Sequence, residues 1–197
     1  MARMCLVLAS TSPTRLRVLR SAGLDPEVAV SGVDESVPDG MDAAAAVAVL
    51  AERKAVAVVP RFADALVLGC DSIVDLDGRL LGKPSSSVEA TEWWRSMRGR
   101  TATVWTGHCV IDGRTGASAA WTSEADVRFG RPSDDEIGAY VATDEPLGAA
   151  GAFRLDGLSA AFIDSITGDP GTVHGVSVPA LRLLLAELGV EITDLWA

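Results

Sequence analysis

Four places along this chain carry residues whose types suit chemistry on a phosphate. The first is Ser10-Thr11-Ser12-Pro13-Thr14-Arg15. An apolar run ends there, a hydroxyl-rich loop follows, and Ser12 and Pro13 are the residue types that cap and begin a helix. Backbone N–H groups and the positive end of the helix dipole would face that loop and make an anion site. A capped helix without a ligand needs the same two residues, so they do not decide the matter. Arg15 tips the balance. At the third helical position a capping box wants Glu or Gln, and a cation opposes the dipole. A bound anion would account for it.

The second place is defined by a count. The chain has 15 arginines and only two lysines, Lys54 and Lys83. Against that bias, each lysine points to a need for a compact ammonium rather than a planar fork, as at phosphate oxygens in a crowded site. The plain alternatives are a cation in a helical C-terminal turn for Lys54 and a solvated loop residue before Pro84 for Lys83. The third is Gly69-Cys70-Asp71-Ser72, where an aspartate directly follows an apolar strand. Burying it is expensive unless it is paired or metal-bound. Strand ends of α/β folds are where ligands usually bind, and a carboxylate there can hold a divalent ion or orient a water. Capping of the next turn is an equal alternative. The fourth is Val33-Asp34-Glu35, whose acids would suit a second oxygen ligand for Mg²⁺ or Mn²⁺, or simply a solvated loop.

The elements that must position these residues follow from pattern. Residues 4–9 read as a buried strand, and Ser12-Pro13 opens a helix that Gly23 ends, with Leu16 and Leu19 inward. A second strand is expected over 27–31, a turn over 37–40, and a long helix from Asp42 to Val59 stopped by Pro60. Residues 65–69 read as a central strand, and Asp77-Gly78 as a hairpin turn. A helix over Val88 to Met97, two β-rich stretches over 101–111 and 117–129, a helix from Ser133, loops around short strands over 143–179 and a final helix from Pro179 to Leu188 complete the order. Interleaved helices, strands and hairpins predict an α/β class with a mixed sheet.

At 197 residues, 48% apolar and 22% charged, the chain is sized for one domain, or one domain with two lobes. The net charge of −10 shows no basic face for nucleic acid, so no nucleic-acid partner is expected. An acidic chain also repels phosphates at long range, so a triphosphate would need local cations and a metal. The apolar run from Ala43 to Leu50 is too short to span a bilayer, and the short N-terminal run reads as a strand rather than a signal peptide. The expected compartment is therefore the cytoplasm, with no membrane partner. Cys5, Cys70 and Cys109 suit neither a zinc site nor a disulfide framework, and His108 and His174 are not at metal-ligand spacing, so both histidines read as structural.

Together these segments resemble the Maf family of nucleoside triphosphate pyrophosphatases. LASTSPTR (8–15) is similar to the family's LASxSPRR, and GVDES, ERKA, GCDSIV, LLGKP, TGH, YVATDEP, AGAF and DGLSAAFIDSITGDP follow in the family's order over nearly the whole chain. The resemblance implies one elongated α/β domain spanning 1–197, with a mixed sheet flanked by helices and a cleft between two lobes, usually homodimeric. It implies metal-assisted attack of water at the α-phosphorus of a nucleoside triphosphate, with Mg²⁺ or Mn²⁺ as cofactor. Asp71 would be the catalytic proton acceptor near the metal, and Glu35 the second acid. Arg15, Lys54 and Lys83 would bind phosphate, with Ser10 as the loop hydroxyl. Ser72 and Asp156 stand at positions that help choose the base. With Thr14 they match neither the pattern associated with dTTP and UTP nor that associated with methylated guanine nucleotides, although non-canonical or pyrimidine nucleotides are the expected class. Ala149 and Phe153 replace a family lysine and tyrosine, and Gly175-Val176-Ser177 replaces a late Gly-Leu-Pro segment. The alternatives are an inosine or xanthosine triphosphate pyrophosphatase and a non-catalytic nucleotide-binding regulator of cell division.

Overall fold

The computed structural model describes residues 4–37 and 40–197. The described residues form thirteen α-helices and β-strands. In chain order they are β1 (Cys5–Leu8), α1 (Pro13–Ser21), β2 (Glu27–Val28), α2 (Ala43–Val58), β3 (Ala65–Leu76), β4 (Arg79–Leu81), α3 (Ser87–Met97), β5 (Thr101–Asp112), β6 (Ser118–Phe129), α4 (Asp134–Val141), β7 (Ile163–Gly168), α5 (Pro170–His174) and α6 (Val178–Glu187). The strands form one seven-stranded sheet of order β2-β1-β3-β5-β6-β7, with β4 beside β3. β1 pairs in parallel with both β2 and β3, whereas β3–β4 and β6–β7 are antiparallel. The class is α/β with a mixed sheet, as the interleaved pattern predicts. No helix among the described residues is long and apolar enough to cross a membrane.

By its contacts the chain divides into two compact units. Among the described residues the first holds 4–37, 40–71, 106–123 and 175–197, and the second 72–105 and 124–174. In the first unit the alternation of side chains along each strand fills both faces of the sheet. Leu6 and Leu8 of β1 and Leu66, Leu68 and Cys70 of β3 join Leu19 of α1 and Leu181, Leu184 and Leu185 of α6 in one cluster. The intervening Val7, Ala65 and Val67 join Ala51, Ala55 and Val58 of α2 in another. In the second unit Trp94 is the hub of an aromatic core. It meets Phe129, Tyr140 and Phe162 edge to face, with centroids 5.4–5.8 Å apart. Its indole N–H donates to the Ala152 carbonyl at 2.8 Å, so its polar edge is satisfied while the ring is fully buried.

Local signals explain most element boundaries. Ser12 caps α1, Asp42 caps α2, and Ser133 with Glu136 closes a complete capping box at α4. Asp77 and Gly78 both have positive φ, 52° and 84°, as a two-residue hairpin turn between β3 and β4 requires. Two expectations need correction. The strand expected over 27–31 is only Glu27–Val28, because β1 is four residues long and offers no further register partners. The central strand does not end at Gly69 but runs to Leu76, so Asp71 lies inside β3 and not beyond it. The expected turn over 37–40 centres on Pro38 and Asp39 and lies outside the described residues.

Candidate active site

Asp71 is 8% exposed and Lys54 is 5% exposed. Their meeting follows from one glycine. Gly69 and Asp71 are two apart on β3 and therefore share the face that α2 covers. A Cβ on Gly69 would stand 2.1 Å from the Ala51 carbonyl oxygen and 2.8 Å from the Ala55 nitrogen, so only glycine admits the helix backbone this close. Lys54 sits one turn beyond Ala51 on the same helical stripe. Its Nζ donates to Asp71 Oδ1 at 2.5 Å and lies 2.7 Å from Glu35 Oε1. Glu35 follows β2 in the chain, and its side chain is 49% exposed. One buried ammonium thus joins a buried carboxylate to a half-exposed one. The aspartate inside an apolar strand is satisfied by this pair, and Lys54 is a buried central residue of α2 rather than a terminal-turn cation.

The hydroxyl loop forms a second cluster in the same unit. Ser10 Oγ accepts from the Ser12 backbone N–H at 3.2 Å and from Arg15 Nη1 at 3.1 Å. Ser12 Oγ accepts from the Arg15 N–H at 3.4 Å, which places Arg15 at the third position of α1 with no acid in the first turn. Arg15 Nε donates to the Gly175 carbonyl at 2.8 Å. Ser10 and Arg15 are 8% and 9% exposed. Cys70 lies near enough to both clusters to feel their cations. Burial pushes its thiol up to about 12, while the nearby charges of Arg15 and Lys54 both pull the other way.

The first unit therefore gathers Ser10, Arg15, Glu35, Lys54 and Asp71. Ser72, Lys83 and Asp156 belong to the second unit. There Ser72 continues β3, Lys83 follows β4 on an exposed stretch, and Asp156 lies in a turn facing Arg154 at 3.3 Å. Among the described residues no three His, Cys, Asp or Glu side chains cluster as a self-sufficient metal cage.

A family model described as Maf-like protein matches residues 5–188. The chain belongs to the Maf family. Among its relatives, a protein of Streptomyces coelicolor named nucleoside triphosphate pyrophosphatase is 58% identical over 194 residues, covering 98% of this chain and 94% of the relative. Proteins with the same name from Streptomyces avermitilis and Salinispora tropica are 56% and 49% identical, covering 97% and 98% of this chain and 94% and 87% of their own lengths.

Sequence reasoning missed part of the constellation in this Maf chain. The Gly175 carbonyl is 160 residues from Arg15, and a backbone acceptor leaves no mark on residue type. Gly69 carried a signal in principle, since a glycine interrupts an otherwise apolar β-branched and leucine run, a pattern that marks close backbone approach. Gly69→Ala is expected to lower stability by about 2–3 kcal/mol, the scale of an overpacked core contact. It should also reduce turnover, because α2 must retreat and carry Lys54 from Asp71. Urea unfolding midpoints and rates measured on the same preparation check both.

Proposed function

We propose that this protein is a nucleoside triphosphate pyrophosphatase, cleaving its substrate to a nucleoside monophosphate and pyrophosphate. The observation that carries the reading is the Lys54 ammonium held between buried Asp71 and half-exposed Glu35, in the same unit as the Arg15 loop and in a chain that the family model matches over residues 5–188. A protein that only bound nucleotide would have little use for two carboxylates converging on one ammonium next to an anion-binding loop.

In this reading the polyphosphate is met by Arg15, by the N–H groups at the start of α1 and by Lys54, with Lys83 as a further cation. Their charges offset the long-range repulsion from a chain of net charge −10. Water attacks the α-phosphorus and forms a new O–P bond. The bridging bond from the α-phosphorus to the next phosphate breaks, and pyrophosphate leaves with the bond's electrons. Asp71 takes the proton of the attacking water, while Lys54 holds its carboxylate in place and Glu35 beside it. A carboxylate is a weak base for water on its own. The donor set fits a magnesium or manganese ion of the kind held by one or two carboxylates plus substrate phosphates, with Glu35 and Asp71 as the protein oxygens. Such an ion, when bound, supplies charge neutralisation and a more acidic water. Ser72 and Asp156 are the proposed base-facing positions, with non-canonical or pyrimidine nucleotides as the substrate class.

Pyrophosphate release from a panel of ordinary and modified nucleoside triphosphates, with Mg²⁺, Mn²⁺ or chelator, tests the reading. Metal-dependent release from at least one nucleotide is expected. Nucleotide binding by folded protein with no release from any of them would favour the regulatory alternative.

A further inference from the structure

We infer that His108 is a positioning residue for Arg15, acting through the 175–177 loop. The inference rests on the reading of Arg15 as a phosphate ligand and adds the residue that aims it. Two contacts bear on the direction of the guanidinium. Ser10 Oγ, at 3.1 Å, lies on the arginine's own loop, but the Gly175 carbonyl, at 2.8 Å, comes from a distant segment. The direction of the guanidinium therefore depends on where that segment is fixed. Val176 is fully buried and packs it without giving it direction. Ser177 gives the direction. Its backbone N–H donates to His108 Nε2 at 2.9 Å, and its Oγ accepts from the Ala180 N–H at 3.1 Å to cap α6.

The backbone N–H can only donate, so Nε2 is the bare nitrogen of the ring and the proton resides on Nδ1. Nδ1 faces the Trp121 carbonyl at 3.3 Å, an acceptor on β6. His108 is 1% exposed on β5, and both of its nitrogens are engaged. The imidazole thus spans from the sheet to the loop, two residues from the carbonyl that holds Arg15. All of these residues belong to the first unit. The sequence reading of His108 as structural fits these contacts, and the inference adds a positioning role to it.

Michaelis kinetics of His108→Leu, His108→Gln and Arg15→Met, each with a thermal unfolding curve, test this. Arg15→Met should raise KM. His108→Leu should raise KM by roughly two- to tenfold, the effect of losing one orienting hydrogen bond, with a smaller change in kcat. His108→Gln, which keeps one acceptor and one donor at comparable reach, should restore most of the KM. If His108→Leu does not fold, His108→Asn replaces it, because its shorter side chain cannot span both partners. An unchanged KM with a lowered unfolding temperature, or a Gln variant no better than Leu or Asn, overturns the inference while Arg15→Met still raises KM. An unchanged KM in Arg15→Met overturns the phosphate role of Arg15 and the inference with it.

Discussion

Asp71→Asn is expected to lower the rate of pyrophosphate release by about 100- to 10,000-fold, the contribution of a positioned proton acceptor. The substitution is nearly isosteric, and the amide oxygen still accepts from Lys54, so the Asp71–Lys54 contact and the packing of α2 on β3 should survive. What is lost is the negative charge and the basic lone pair. Binding of a non-hydrolysable triphosphate should fall far less than turnover does. A variant that unfolds at the wild-type temperature, binds the analogue and fails to turn over would locate Asp71 in the chemical step. Equal turnover by Asp71→Asn would remove it from that step.

Lys54→Met carries the second large effect, and it acts on stability and rate together. Lys54 is 5% exposed and is the cation shared by Asp71 and Glu35. Removing one partner of a buried pair leaves the other charge uncompensated, which costs about 3 kcal/mol or more. Most of that cost falls on Asp71. Glu35 is half exposed, and water will screen it. Turnover should drop by about 100-fold, the upper range for losing a group that orients a reactive carboxylate. Lys54→Arg should recover the charge and part of the stability but little of the rate. A planar five-donor fork does not occupy the position of a compact ammonium packed between two carboxylates. Equilibrium unfolding and kcat/KM on the same variants separate the two effects.

Much of the frame was legible in the residues because the signals were local. Ser12-Pro13, Asp42 and Ser133 with Glu136 mark helix starts through bonds that span only a few residues. Asp77-Gly78 marks its turn through backbone conformations that few other pairs adopt. The extent of β3 was not legible. Asp71 and Asp75 interrupt its apolar pattern, and a strand continues through a buried acid only where a partner neutralises it. That partner is Lys54, 17 residues away on another element, and the approach that brings it there depends on Gly69. β2 failed in the opposite sense. Val28 and Val30 alternate as a strand should, yet they are 43% and 58% exposed, and only Glu27 and Val28 find register partners on β1. The candidate site followed the same rule. Arg15 and Asp71 stood out because each is an unfavourable choice locally, and Lys54 because the chain otherwise uses arginine. Gly175 and His108 did not, because a backbone carbonyl and a lone histidine look ordinary until the fold puts them together.

The central claim is hydrolysis at the α-phosphorus, and its most direct test is turnover in ¹⁸O-labelled water with mass analysis of both products. One labelled oxygen is expected in the nucleoside monophosphate, with none in the pyrophosphate. Label in pyrophosphate, or a nucleoside diphosphate and labelled orthophosphate as products, would contradict attack at the α-phosphorus and the mechanism built on Asp71.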